Sequence, residues 1–184
     1  MSFKIDQANV YNLRYSGPLY LGTPLQNIPN IVWDTGSRDL LVESTNCPEC
    51  QNLVFKNEDS TSFRYDSVNV ALAGVEYADG TALKGKWSYD SACLANDAAS
   101  CASDFHFIVI TEQAGLQTDE DGILGMWSGF GDTGPNHALY VPWLLSKGVI
   151  DEATFSWYMT GLSGTTYIDF GAPDASIIGD GTAI

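Results

Sequence analysis

Ile31-Val32-Trp33-Asp34-Thr35-Gly36-Ser37 sets three large apolar residues directly before an acid, a glycine and two hydroxyls. The apolar residues read as a buried strand. An acid at the end of such a strand is unusual, because Asp is rarely fully buried unless something pairs with it. Gly36 permits the tight turn that the backbone needs, while Thr35 and Ser37 carry hydroxyls able to donate to a carboxylate at the rim of a core. The stretch alone also fits an ordinary strand-to-turn Asp, so its context decides. A second copy, Asp132-Thr133-Gly134, follows Ser128-Gly129-Phe130-Gly131 with no apolar strand before it and Pro135 after it, and reads as a surface turn.

The chain has 184 residues, enough for one substantial core, and one domain spanning 1–184 is the expected organisation. Hydrophobic residues make up 45%, Gly occurs 18 times, and long helical periodicities are scarce, which favours a β-rich domain with many turns. Eight basic residues against 23 acidic ones give a formal net charge of −15. Such a balance argues against nucleic acid or an anionic membrane as partner. It fits work at low pH, where partial protonation relieves self-repulsion, and it equally fits a surface that is merely soluble. No apolar run approaches the roughly 18 residues that cross a bilayer, and Met1-Ser2-Phe3-Lys4 leads into Ile5-Asp6-Gln7 without a signal sequence.

Tyr11 to Leu21 reads as strand, turn and strand, broken at Ser16-Gly17-Pro18. Gly22-Thr23-Pro24-Leu25-Gln26 is then a turn leading into the strand Ile28 to Trp33. Gly-Thr-Pro-x-Gln followed by Asp-Thr-Gly-Ser resembles the N-terminal lobe of the pepsin-like aspartic proteases, and the pair in that order is far more specific than either motif alone. The likeness continues through the strand Leu40-Leu41-Val42, the small loop Cys47-Pro48-Glu49-Cys50, and the Ser-rich stretch Phe55 to Phe63.

Val68 to Glu76, a turn at Tyr77-Ala78-Asp79-Gly80-Thr81, and Lys84 to Cys93 read as a hairpin. By resemblance it is the flap that closes over a bound peptide, with Tyr77, Ala78, Asp79 and Gly80 at its tip; Asp-Gly is also simply a good hairpin turn. Phe105 to Ile110 is a continuous apolar strand, and Asp121-Gly122-Ile123-Leu124-Gly125-Met126 matches the family's second internal signature. That resemblance places the Ile-Leu-Gly strand beside the Asp-Thr-Gly turn, with Gly125 where a side chain would collide with backbone. It also makes Val32, Glu120 and Ile123 subsite candidates. Besides Ala78, which stands where a Gly is usual in the flap, two positions depart from the family pattern. Leu41 stands where a Trp commonly holds the flap Tyr, and Glu120 stands where a large apolar residue often lines the pocket before the scissile bond. Ala138 to Lys147, ended by Gly148, is the one convincing helix, and Phe155 to Met159 and Thr165 to Phe170 read as strands.

The expected fold is therefore all-β: a pepsin-like lobe of orthogonally packed, twisted sheets with one or two short helices. Cys47/Cys50 and Cys93/Cys101 fall close in sequence, so two local disulfides are the simplest pairing and imply an oxidising compartment. Cys-Pro-Glu-Cys could instead be half of a zinc site or a redox motif, although His106 and His137 show no ligand spacing. The resemblance implies an aspartic endopeptidase of a secreted, lysosomal or vacuolar compartment, needing no cofactor or metal. Its catalytic acid is Asp34, with Thr35, Gly36 and Ser37 in support. Peptides are the substrates. Two carboxylates must share a proton, so the other acid comes from a C-terminal lobe or a second copy of the chain. A non-catalytic, single-lobe peptide-binding or inhibitory module is the alternative.

Overall fold

The computed structural model describes residues 2–50, 55–116, 119–129, 139–161 and 164–172. Strands dominate: β1 (Phe3–Val10), β2 (Arg14–Leu21), β3 (Gln26–Asp34), β4 (Leu40–Glu43), β5 (Arg64–Tyr65), β6 (Ala73–Glu76), β7 (Ala82–Cys93), β8 (Cys101–Ala114), β9 (Gly122–Gly125), β10 (Phe155–Tyr158) and β11 (Thr166–Phe170). Helix α1 (Tyr140–Ser146) joins them, with two short 3-10 turns at Asn57–Asp59 and Ala98–Ser100. The all-β expectation holds.

The hydrogen-bonded path closes on itself. β2 pairs with β3, β3 with β9, β9 with β4, β4 with β8, β8 with β7, and β7 with the end of β2 at Tyr20 and Leu21. Closure protects the strands that frame the site from edge-to-edge pairing. β9 lies parallel to β3 and antiparallel to β4, so the two strands flanking the Asp34 turn are joined through it. Outside the ring, β1 pairs with β2 through Ala8–Val10 and with β11 through Phe3–Gln7, and β10 extends that edge.

Strand alternation divides the apolar residues between two cores. Ile31 and Trp33 of β3, Leu40 and Val42 of β4 and Leu124 of β9 enter the larger one, beside Phe55, Phe105, Phe107, Tyr140 and Phe170. Leu41 and Ile123 point the other way into a smaller cluster with Leu83, Ile108 and Ile110, against which Val32, Tyr77 and Trp87 pack. These strands are apolar on both faces because both are covered, which is why Ile31-Val32-Trp33 does not alternate.

Three expectations change. The break at Ser16-Gly17-Pro18 is not a turn: β2 runs through it, and the chain reverses earlier, at Tyr11 and Asn12, both in the left-handed region at φ 56 and 57°. Asn9 Oδ1 accepts from the Asn12 N–H at 2.8 Å and fixes that reversal. Pro18, having no N–H to donate, is accommodated by a register shift between Gly17 and Leu19. Second, β1 precedes everything read as a strand from sequence. Third, only Ala73–Glu76 of the stretch beginning at Val68 is extended, because the Asp66 carboxylate captures the segment before it. Asp66 accepts from the N–H groups of Val68 and Asn69 (2.8 and 3.1 Å) and from Asn69 Nδ2 (2.7 Å). Local side-chain bonding of this kind competes with a strand ladder.

His106 Nε2 lies 3.0 Å from the other side of the same carboxylate, its ring stacked between Trp87 and Tyr89. The Asn69 amide first, then the Val68 and Asn69 backbone N–H groups and His106, hold Asp66 well below the usual carboxylate range. A depressed folded pKa contributes stability that is present above the unfolded value, about 3.9, and is lost as pH falls through the folded one. Asp66→Ala is thus expected to lower the melting temperature at neutral pH, with the gap to the parent narrowing below about pH 4. Thermal melts between pH 2 and 7 check this, and a gap independent of pH would overturn it.

Both disulfides form as expected, Cys47 with Cys50 and Cys93 with Cys101, so the Cys-Pro-Glu-Cys sulfurs are bonded to each other and not held as zinc ligands. The helix begins at Tyr140, with Pro142 in its first turn and Gly148 at φ +70° behind its end. Ala138, His137, the Asp132-Thr133-Gly134 turn and Pro173 onward lie outside the described residues.

Candidate active site

Asp34 is the last residue of β3, two positions after Val32, so the two share a face. Ile31 and Trp33 anchor the other face in the larger core, leaving the carboxylate half-buried at the rim. Asp34 Oδ1 accepts from the Gly36 N–H at 2.9 Å, which folds the turn back under the acid. Three more bonds pin the turn to the end of β9. Gly125 N–H donates to Asp39 O (3.0 Å), Met126 N–H to Asp34 O (2.7 Å) and Trp127 N–H to Ser37 O (3.1 Å). Gly125 has room for no side chain: a Cβ there would stand 2.2 Å from the Arg38 carbonyl carbon. Thr35 and Gly36 are exposed, and Ser37 is half-buried behind them.

The hairpin β6–β7 reaches over this turn. Tyr77 N–H donates to Thr81 O (2.8 Å), Gly80 N–H to Tyr77 O (3.0 Å), and Asp79 Oδ1 accepts from Thr81 N–H (2.9 Å), so the tip is closed by its own backbone and by its acid. Gly80 supplies the left-handed φ of +90° that such a turn requires. Burial pushes the Tyr77 phenol up to about 12, the Ser37 hydroxyl opposes that shift, and the charges of Asp34, Asp39 and Asp79 add to it. Tyr77 therefore rests over the Asp34 turn with its hydroxyl toward Ser37. Neither hydroxyl has a hydrogen-bond partner among the described residues. The tyrosine ring packs on the Leu41–Ile123 cluster.

Between hairpin and turn lies a cleft of about 550 Å³. Val32, Asp34, Gly36, Tyr77, Ala78, Asp79, Glu120 and Ile123 line it, while Thr35, Ser37 and Gly80 do not. Leu13, Arg14, Thr81 and Leu116 also line it and were not anticipated from sequence. Thr81 closes the predicted hairpin turn, and Leu116 falls between the predicted strand ending at Ile110 and the signature beginning at Asp121. Arg14 had no local signal, since its partners are more than a hundred positions away: its guanidinium meets Asp119 Oδ2 at 2.6 Å and, through the other terminal nitrogen, Glu120 Oε1. Among the described residues no cluster of three or more His, Cys, Asp or Glu is arranged to hold a metal ion.

A carboxylate at the floor of an open cleft, braced by backbone N–H and roofed by a hairpin, can act as a base toward water or as an acid toward a carbonyl oxygen. Residues 14–183 match the family model of the eukaryotic aspartyl proteases. The chain is 31% identical to procardosin-B of Cynara cardunculus over 153 residues, covering 79% of this chain and 28% of that protein. It is 30% identical over 185 residues to a probable vacuolar protease A of Trichophyton verrucosum, covering 96% of this chain and 44% of the relative. Chymosin of Callithrix jacchus is 28% identical over 181 residues, with 91% and 43% covered. The chain thus spans less than half the length of these relatives.

Proposed function

Because this chain belongs to the eukaryotic aspartyl protease family, we propose that it is one lobe of an aspartic endopeptidase and supplies Asp34 as one of two catalytic carboxylates. The observation that carries this reading is the position of Asp34 in the cleft, on the face of β3 that it shares with Val32 and beneath Tyr77. Hydrolysis of a peptide bond needs water made nucleophilic and a proton delivered to the carbonyl oxygen. Two carboxylates that share one proton do both: the ionised one takes a proton from water while the protonated one donates to the carbonyl. Their titration belongs to the pair. The gem-diol intermediate then collapses: the carboxyl that took water's proton passes it to the leaving nitrogen, and the other carboxylate takes the proton of a diol hydroxyl as the carbon–nitrogen bond breaks, so the pair again holds one proton.

Asp34 is the one Asp-Thr-Gly acid among the described residues that follows an apolar strand. The second acid is accordingly assigned to a companion lobe or to a second copy of this chain. Peptides and proteins are the substrates. Two disulfides and a net charge of −15 support an oxidising, acidic setting, secreted or vacuolar.

The test is hydrolysis of a fluorogenic peptide at about pH 3–5, the range in which a carboxylate pair holds one proton. The chain alone at low concentration is expected to show almost no turnover. Turnover should appear with a companion lobe bearing an Asp-Thr-Gly, or rise with the square of concentration if copies pair. Full activity from a strict monomer would reject the shared-pair assignment. Peptide binding with no turnover under any of these conditions would instead establish a binding module.

A further inference from the structure

Ten large apolar side chains are exposed among the described residues, and Leu13 is the one of them that lines the cleft. It belongs to a ledge with Tyr11, Tyr158 and Met159; Leu13, Tyr11, Tyr158 and Met159 are 88%, 78%, 43% and 54% exposed. We propose that this ledge is a distal subsite for a bulky, uncharged apolar side chain of the bound peptide, lying beyond the mouth of the cleft; the inference rests on reading the cleft as a peptide-binding one.

Asn9 joins the two segments that form the ledge. Its Nδ2 donates to Thr160 O (3.2 Å), which sets the chain just past β10 beside the β1–β2 reversal. The same amide donates to Asn12 Oδ1 (2.8 Å), and Leu13 N–H donates to Val10 O (3.0 Å), so Tyr11 and Leu13 are presented by a reversal that is held closed.

A tyrosine at position 11 is not what the fold alone asks for. Its φ of 56° lies in the left-handed region, which Gly and Asn enter readily and a bulky side chain enters only under strain. Packing within the chain does not offset that strain, because the Tyr11 ring is exposed and makes no ring contact or hydrogen bond among the described residues. Its contact has to come from outside the chain.

Charge selects the occupant. Residues 8–13 and 155–161 contain no acidic or basic residue, on a chain whose formal net charge is −15. Arg14, next in sequence, is turned to Asp119 and Glu120. An ionised side chain would lose water to such a surface and gain no partner on it. An aromatic or branched aliphatic one covers it by burial, with Met159 as an adaptable contact and Tyr158, stacked on Tyr167 at 5.0 Å between ring centroids, as a fixed one. Continuity makes that occupant part of the peptide. Leu13 belongs to the cleft wall and to the ledge at once, so an extended chain leaving the cleft there, advancing about 3.3 Å per residue, passes over Leu13 toward Tyr11.

The experiment measures binding, so it does not depend on turnover. The chain carrying Asp34→Asn is titrated by fluorescence anisotropy against labelled dodecapeptides, identical except for one residue that is phenylalanine or serine and is walked along the sequence. Positions inside the cleft and one position outside it are expected to prefer phenylalanine, the outer one by about tenfold. Tyr11→Asn combined with Met159→Ser should bring the outer preference to within about twofold and leave the inner ones as they were, since neither residue lines the cleft. Tyr11→Asn alone should weaken the outer preference while raising the melting temperature, because asparagine tolerates the left-handed conformation. A purely structural role for the ring would move stability the other way. The absence of an outer position that prefers phenylalanine, an outer preference that survives the double variant, an equal loss at every position, a Tyr11→Asn protein that melts below its parent, or no binding by any peptide would overturn the proposal. A double variant that binds peptides like its parent but, in sedimentation velocity, associates less with a second copy or a companion lobe would assign the ledge to that partner and overturn it too. The same peptides, assayed for cleavage by the parent chain with its second acid, separate the two readings. Cleavage indifferent to the outer residue sinks the subsite alone, whereas phenylalanine-selective binding without cleavage sinks the hydrolase alone.

Discussion

With the second acid supplied, Asp34→Asn is expected to lower peptide hydrolysis by about a thousandfold or more, within the range that positioned acid–base groups contribute, while leaving the fold intact. The substitution is nearly isosteric. Asn keeps a side-chain oxygen that can accept from the Gly36 N–H, the 2.9 Å bond that shapes the turn. It cannot ionise, so it can neither take a proton from water nor hold the shared one. The three backbone bonds from Gly125, Met126 and Trp127 do not involve the carboxylate, so the turn should stay where it is. Rates at several pH values, with a thermal melt of each protein, make the comparison. Activity that survives the change, or a melt displaced by many degrees, would show that Asp34 serves the architecture and not the reaction.

Much of this site was legible in the chain because its parts are local. Asp34, Gly36 and the hydroxyls beside them are contiguous, and a turn between an apolar strand and a second apolar strand can be read from seven residues. Gly125 was legible for a related reason: a glycine ending an apolar strand signals close backbone approach, and the Arg38 backbone is what it approaches. The turn of the β6–β7 hairpin also follows from its own residues, since Gly80 takes the left-handed φ and Asp79 caps Thr81.

What escaped were features decided at long range. Ser16-Gly17-Pro18 has the composition of a turn, yet pairing with β3 on one side holds it extended, and only the register shift opposite Pro18 records the conflict. Val68 to Leu72 alternates weakly, as a strand does, but Asp66 offers its N–H groups a nearer acceptor. Arg14 enters the cleft because β2 begins beside the loop before β9, a neighbourhood that exists only once the strand ring has closed. Glu120 could be flagged as misplaced in an apolar position. Its partner could not be named.

Gly125→Ala is expected to cost about 3 kcal/mol or more and to take catalysis with it, because the added methyl meets backbone on the far side. Its Cβ would lie 2.2, 2.5 and 2.6 Å from the carbonyl carbon, nitrogen and Cα of Arg38, none of which can swing aside as a flexible side chain does. Relief requires the Asp34–Asp39 turn to lift from β9. That movement would break the bonds from Gly125 to Asp39 O, Met126 to Asp34 O and Trp127 to Ser37 O, and it would displace the carboxylate they position. Misplacing a reacting group by about 1 Å can cost about a hundredfold in rate even where the protein remains folded. Gly148→Ala is the control: a Cβ there meets nothing within 4 Å, and its φ of +70° exacts only the modest strain of a left-handed alanine, about 1 kcal/mol, far from the cleft. Denaturant melts and cleavage rates should thus separate three behaviours, with Asp34→Asn losing rate alone, Gly148→Ala losing a little stability alone, and Gly125→Ala losing both. A Gly125→Ala protein that melts and cleaves like the parent would mean that the turn is free to move away from β9, and that something other than this contact holds Asp34 in the cleft.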